Sequence, residues 1–108
     1  MAQWNRAGGE NQVRTAVRFP LRLAVSLQTA QGPIEATTEN VSANGVLFVG
    51  DGLPQVGSEI NFTMMMPGAI MGSTEDVCVH CAGRIVRFEQ EDGVTKAGAV
   101  IDEYFLKV

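Results

Sequence analysis

One histidine, one tryptophan, one tyrosine and two cysteines are all that 108 residues contain of those types, and each scarcity closes off a kind of chemistry. A tetrahedral metal centre needs about four nitrogen or sulfur ligands. Cys78, His80 and Cys81 lie together as Cys78-Val79-His80-Cys81, but no further histidine or cysteine exists to complete a set. On a strand such residues alternate between faces and serve as packed or solvated side chains. Around His80 no nucleophile, base and orienting group fall in a recognisable series, so neither an enzyme nor a resident metal or cofactor is expected. No uncharged apolar run approaches the ~20 residues of a membrane span. Residues 1–10 lack the apolar segment of a signal peptide, so a cytoplasmic protein without membrane contact is expected. With aromatics at 6% and a net charge of −4, the chain offers neither the stacking platform nor the basic groove of a DNA- or RNA-binding domain. Amphipathic helices, internal repeats and low-complexity tracts are also missing.

The positive features begin with charge placement. Six of the eight basic residues are arginines, and up to residue 34 Arg6, Arg14, Arg18 and Arg22 face only Glu10, while the other eleven acids follow. An anion is therefore drawn towards the N-terminal part, where arginine's planar fork grips phosphate or a base edge at two points. A chain of this length folds as one unit, and the expected division is a flexible tail over residues 1–12 and a single domain over 13–108.

Within the domain, apolar residues recur at every second position, the period of half-buried strands. Strands are expected over residues 21–28, 34–41, 46–49, 60–64, 77–88 and 95–101. Turns are expected at Gln31-Gly32-Pro33, Asn44-Gly45 and Glu91-Asp92-Gly93. Gly83 marks a kink or bulge in the longest strand. The run Met64-Met65-Met66 reads as a strand end buried on both faces, residues 68–76 as a loop, and residues 102–108 as at most a short terminal helical turn. Short strands with turns between them point to an all-β antiparallel barrel or sandwich, the small closed barrel fitting best.

Two spaced patterns stand out on this background: Arg14-x-x-x-Arg18, and, one strand later, Asn40-x-Ser42-x-x-Gly45. Pro20 biases Phe19 to an extended backbone, so the two arginines would span roughly 13 Å. Asn40 and Ser42, two apart on a strand, share a face. Taken singly, either pattern also fits an exposed loop or an ordinary hairpin.

In that order, and followed by Gly83-Arg84-Ile85-Val86-Arg87 and Ala97-Gly98-Ala99-Val100-Ile101, the patterns resemble the paired signature of the PilZ domain family over about residues 13–104. The resemblance implies a six-stranded antiparallel β-barrel and a receptor for the bacterial second messenger cyclic di-GMP. It further implies that binding changes the N-terminal loop and the surface offered to a protein partner. Carried over, it makes Arg14, Arg18, Asn40, Ser42 and Gly45 the ligand-binding residues, with Val13, Asn44 and Arg87 as a second tier. Trp4 is a further aromatic with two readings, a cover over a guanine or a loosely packed residue of the tail. Many members carry aspartate where this chain has Asn40, so a weaker grip on guanine is expected. The alternative is a PilZ-like protein-interaction module that binds no nucleotide.

Overall fold

The computed structural model describes residues 5–6 and 18–107. Its elements are β1 (Asn5–Arg6), β2 (Ala24–Thr29), β3 (Gly32–Ser42), β4 (Gly45–Val49), β5 (Glu59–Met66), α1 (Gly68–Met71), β6 (Val77–Glu91) and β7 (Val94–Lys107). Every pairing is antiparallel, in the order β2-β3-β4-β7-β6-β5, and β5 returns to β2 where Asn61 stands opposite Gln28. The result is a closed six-stranded barrel, which removes the exposed edges that a small open sheet would leave. Strand β1 adds outside it, with Asn5 opposite Tyr104 and Arg6 opposite Glu103.

The alternating apolar residues fill the barrel. Leu27, Phe48, Ile60, Ile85 and Val46 are the largest wholly enclosed aliphatic and aromatic side chains, and Phe48 meets Phe62 edge to face at 5.1 Å. Hairpins set the register. Asp92 and Gly93 form a two-residue turn with φ of 52° and 77°, the left-handed pair that matches strand twist. The β3–β4 hairpin instead turns through Ala43 and Asn44, because Ser42 pairs directly with Gly45; Gly45 is the first residue of β4, with no positive φ.

Further expectations change. Residues 21–23 do not join β2: the buried Thr38 hydroxyl takes the place of a ladder partner, donating to the Leu21 carbonyl at 2.6 Å and accepting from the Leu23 amide at 2.9 Å. Met65 is 54% exposed while Met64 and Met66 are buried, since strict alternation persists to the end of β5. Residues 102–107, where at most a helical turn was expected, continue β7, held by β6 through pairs such as Tyr104 with Cys81 and Phe105 with His80. The expected loop over 68–76 includes the single helical turn α1.

Candidate functional site

The lead-in to the barrel is stitched to β3. The Phe19 amide donates to the Val41 carbonyl at 2.7 Å and the Val41 amide to the Phe19 carbonyl at 2.9 Å, the extended backbone that a following proline favours. This seats Arg18 beside Asn40, whose Oδ1 accepts from the Arg18 Nε at 2.9 Å. The two residues are 22 positions apart in sequence.

Asn40 is available on the outside only because β3 carries a bulge. Ala36 and Thr38 turn into the barrel, and without interruption Asn40 would follow them. Thr38 pairs with Phe48 and Asn40 with Leu47, leaving Glu39 as the extra residue. The inward position passes to Val41, and Asn40 and Ser42 face out together. A Lys96 Nζ to Glu39 Oε2 contact at 3.1 Å covers the bulge.

Ser42 is buried at the turn, its Oγ donating to Asn44 Oδ1 at 3.1 Å, with the Gly45 carbonyl at 3.3 Å. A Cβ on Gly45 would lie 3.2 Å from the Ala99 carbonyl oxygen and 3.9 Å from the Arg18 guanidinium. Glycine is thus called for by the close approach of β7, rather than by an unusual dihedral. Of the sequence-derived residues, Arg18, Asn40, Ser42, Asn44 and Gly45 come together. Val13, Arg14 and Trp4 lie outside the described residues.

The corner opens onto a groove of about 660 Å³ running across β4, β7 and β6. Arg84 and Arg87 line it with Arg18. Spaced three apart, they would occupy opposite faces of a regular strand. Ile85 pairs with Ala99 and Arg87 with Gly98, so Val86 is a second bulge residue, and both arginines emerge on the outer side. Arg87 lies over Gly98, where a Cβ would stand 3.4 Å from its Nε. A third bulge falls on β7: Gly83 pairs with Ile101 and Ala82 with Glu103, so the extra residue is Asp102. Its carboxylate sits 3.7 Å from Arg84, both side chains about half exposed. Sequence reading named Arg84 only as part of the family-like segment Gly83-Arg84-Ile85-Val86-Arg87 and gave Asp102 no part; the signal was Gly83, which precedes Arg84 and stands beside the bulge at Asp102.

The Cys78-to-Cys81 run behaves as strand alternation predicts. Cys81 points into the core, where burial pushes its thiol up from 9.0 to about 12. Cys78 and His80 face outward, with Cys78 Sγ 3.5 Å from His80 Nε2 and Thr63 Oγ1 2.8 Å from His80 Nδ1, and Phe105 stacks on the imidazole at 4.6 Å. Among the described residues no three His, Cys, Asp or Glu side chains gather as a metal site, and no helix is long and apolar enough to cross a membrane.

A closed six-stranded antiparallel barrel, with an arginine delivered from its lead-in segment to an Asn-x-Ser-x-x-Gly corner, defines a class of small β-barrel domain. The family model of the PilZ domain matches residues 12–102, and the chain belongs to that family. Among solved structures, the Bacillus subtilis inhibitor of motility, MotI/DgrA, is similar in fold, with a TM-score of 0.68 and 22% identity. The match covers 83% of this chain and 43% of that one, so this chain spans less than half that protein's length. No curated protein sequence matches the chain.

Proposed function

We propose that this domain is a receptor for cyclic di-GMP, a binding module that performs no catalysis. The ligand carries two phosphates and two guanines. It calls for cations, for donors to guanine O6 and N7, and for acceptors from guanine N1 and N2. Arg18, together with Arg14 of the same sequence pattern, supplies two-point donors for phosphate or the O6/N7 edge. Asn40 accepts from guanine, Ser42 donates to a phosphate oxygen, and Gly45 lets the backbone approach. Val13 and Asn44 are second-tier candidates for contact with the ligand, and Arg87 offers a flat guanidinium for stacking on a base.

The observation that carries the proposal is the Arg18 to Asn40 hydrogen bond of 2.9 Å, which unites the two halves of the family signature at one corner. Binding would draw the lead-in segment onto the groove and alter the surface offered to a protein partner. The pairing of β1 with β7 beside Asp102 supplies a route for that change. Isothermal titration with cyclic di-GMP tests it: heat is expected with the intact chain and none with Arg18→Ala. An intact chain that gives no heat leaves a protein-interaction module that has no nucleotide ligand.

A further inference from the structure

We infer that Asp102 is an affinity-setting carboxylate of the groove, a built-in competitor that the anionic ligand must displace from Arg84. The inference rests on the receptor proposal and goes beyond it, since Asp102 belongs to neither signature pattern.

Three observations converge. The first is position: Gly45 stands opposite Val100, and Val100 opposite Arg84, so the signature glycine and Arg84 occupy one row across three neighbouring strands. An anion held at the Arg18 and Gly45 corner therefore has Arg84 as its next cation. The second is the bulge. A regular β7 would give Asp102 a place in the pairing with β6, whereas the bulge leaves it unpaired, and bulges re-aim side chains in this way. A Cβ on Gly83 would overlap the Val100 carbonyl oxygen, so the close approach of backbones that accompanies this bulge requires glycine. The third is charge. Arg18, Arg84 and Arg87 line the groove and Asp102 is the carboxylate among them, 3.7 Å from Arg84.

The chemistry follows. An exposed ion pair contributes little to folding, so the Arg84 to Asp102 contact has small structural value. Towards a dianionic ligand its effect is larger, because Asp102 neutralises a cation that would otherwise meet phosphate and repels the phosphate directly. On binding, Arg84 exchanges the carboxylate for a phosphate oxygen, and the remaining negative charge beside the ligand holds affinity below what three arginines would give. Asp102 thereby sets the messenger concentration at which the domain responds.

The test is titration of cyclic di-GMP into the full chain and its variants at low and at physiological salt. Asp102→Asn is expected to tighten binding by about three- to tenfold at low salt, the gain shrinking as screening increases. Glu103→Gln removes the same formal charge from the neighbouring position outside the groove and is expected to stay within about twofold of the unaltered chain. In an Arg84→Gln background the Asp102→Asn gain is expected to be smaller, since the cation it frees is gone. Thermal melts establish that each variant is folded before titration. If Asp102→Asn binds no tighter than the unaltered chain, or Glu103→Gln gains as much, Asp102 has no such role. If the unaltered chain gives no heat, the receptor proposal fails and takes this inference with it.

Discussion

Cys78 and Cys81 stand three positions apart on β6 and so look in opposite directions, one half-exposed beside His80 and the other sealed in the core. Burial disfavours the charged thiolate of Cys81 and lifts its pKa to about 12. The folded protein thus holds the proton more tightly than the unfolded chain. That contribution to stability is complete below about pH 9 and is lost as pH rises towards 12. The urea midpoint is expected to fall over this range, and less steeply for Cys81→Ala; equal slopes would show that the Cys81 thiol is not shielded. In the native state an aromatic disulfide reagent is expected to titrate one thiol rapidly and the second only after unfolding. Gly45 makes a different point, because a methyl group there would press on the Ala99 carbonyl at 3.2 Å and stand beside Arg18. Gly45→Ala is expected to destabilise the barrel by about 1 kcal/mol and to weaken cyclic di-GMP binding more than that loss explains. Calorimetry of melting and of binding on one sample separates the two effects.

The strands themselves show what could be read from the chain and what could not. Alternation in residues such as Val25 and Leu27 or Ile60, Phe62 and Met64 reports burial directly, so strand order along the chain and the closed barrel were legible. So was the approach of Arg18 to the corner of Asn40, Ser42 and Gly45. The three bulges were not. Glu39, Val86 and Asp102 each insert one residue, and each shifts every later side chain to the other face, which a fixed period of two cannot report. Only Gly83 betrayed one of them in sequence. That glycine yields a sharp expectation: Gly83→Ala forces a carbon into the Val100 carbonyl and should lower stability by more than about 2 kcal/mol, measured by urea unfolding. A variant as stable as the parent would mean that the β6–β7 pairing relaxes around this point. Thr38 served a role that sequence also concealed. Its hydroxyl replaces a ladder partner for Leu21 and Leu23, so Thr38→Val should lose about 2 kcal/mol and loosen the segment that presents Arg18, raising the Kd for cyclic di-GMP as well.

Around the closed barrel the seams are unequal. The β6–β7 hairpin pairs continuously from Cys78 with Lys107 to Glu91 with Val94, interrupted only at its bulges, whereas the ladder between β2 and β5 is the single pair of Gln28 with Asn61. Local opening follows the weakest pairing, so amides along the β2–β5 seam are expected to exchange with deuterium sooner than those of the hairpin. The groove lies on the other side, across β4, β7 and β6. A ligand bound there raises the free energy of global unfolding by about 2.7 kcal/mol at a hundredfold excess over Kd, a rise in Tm on the order of 10 °C for a domain of this size. Local exchange should divide by position. The Phe19 and Val41 amides, which tie the Arg18 segment to β3, are expected to slow with cyclic di-GMP, while those of Gln28 and Asn61 continue to exchange through the unchanged seam. Equal protection at both places would mean that the barrel responds as one body, and slowing at the seam alone would move the ligand away from the Arg18 corner.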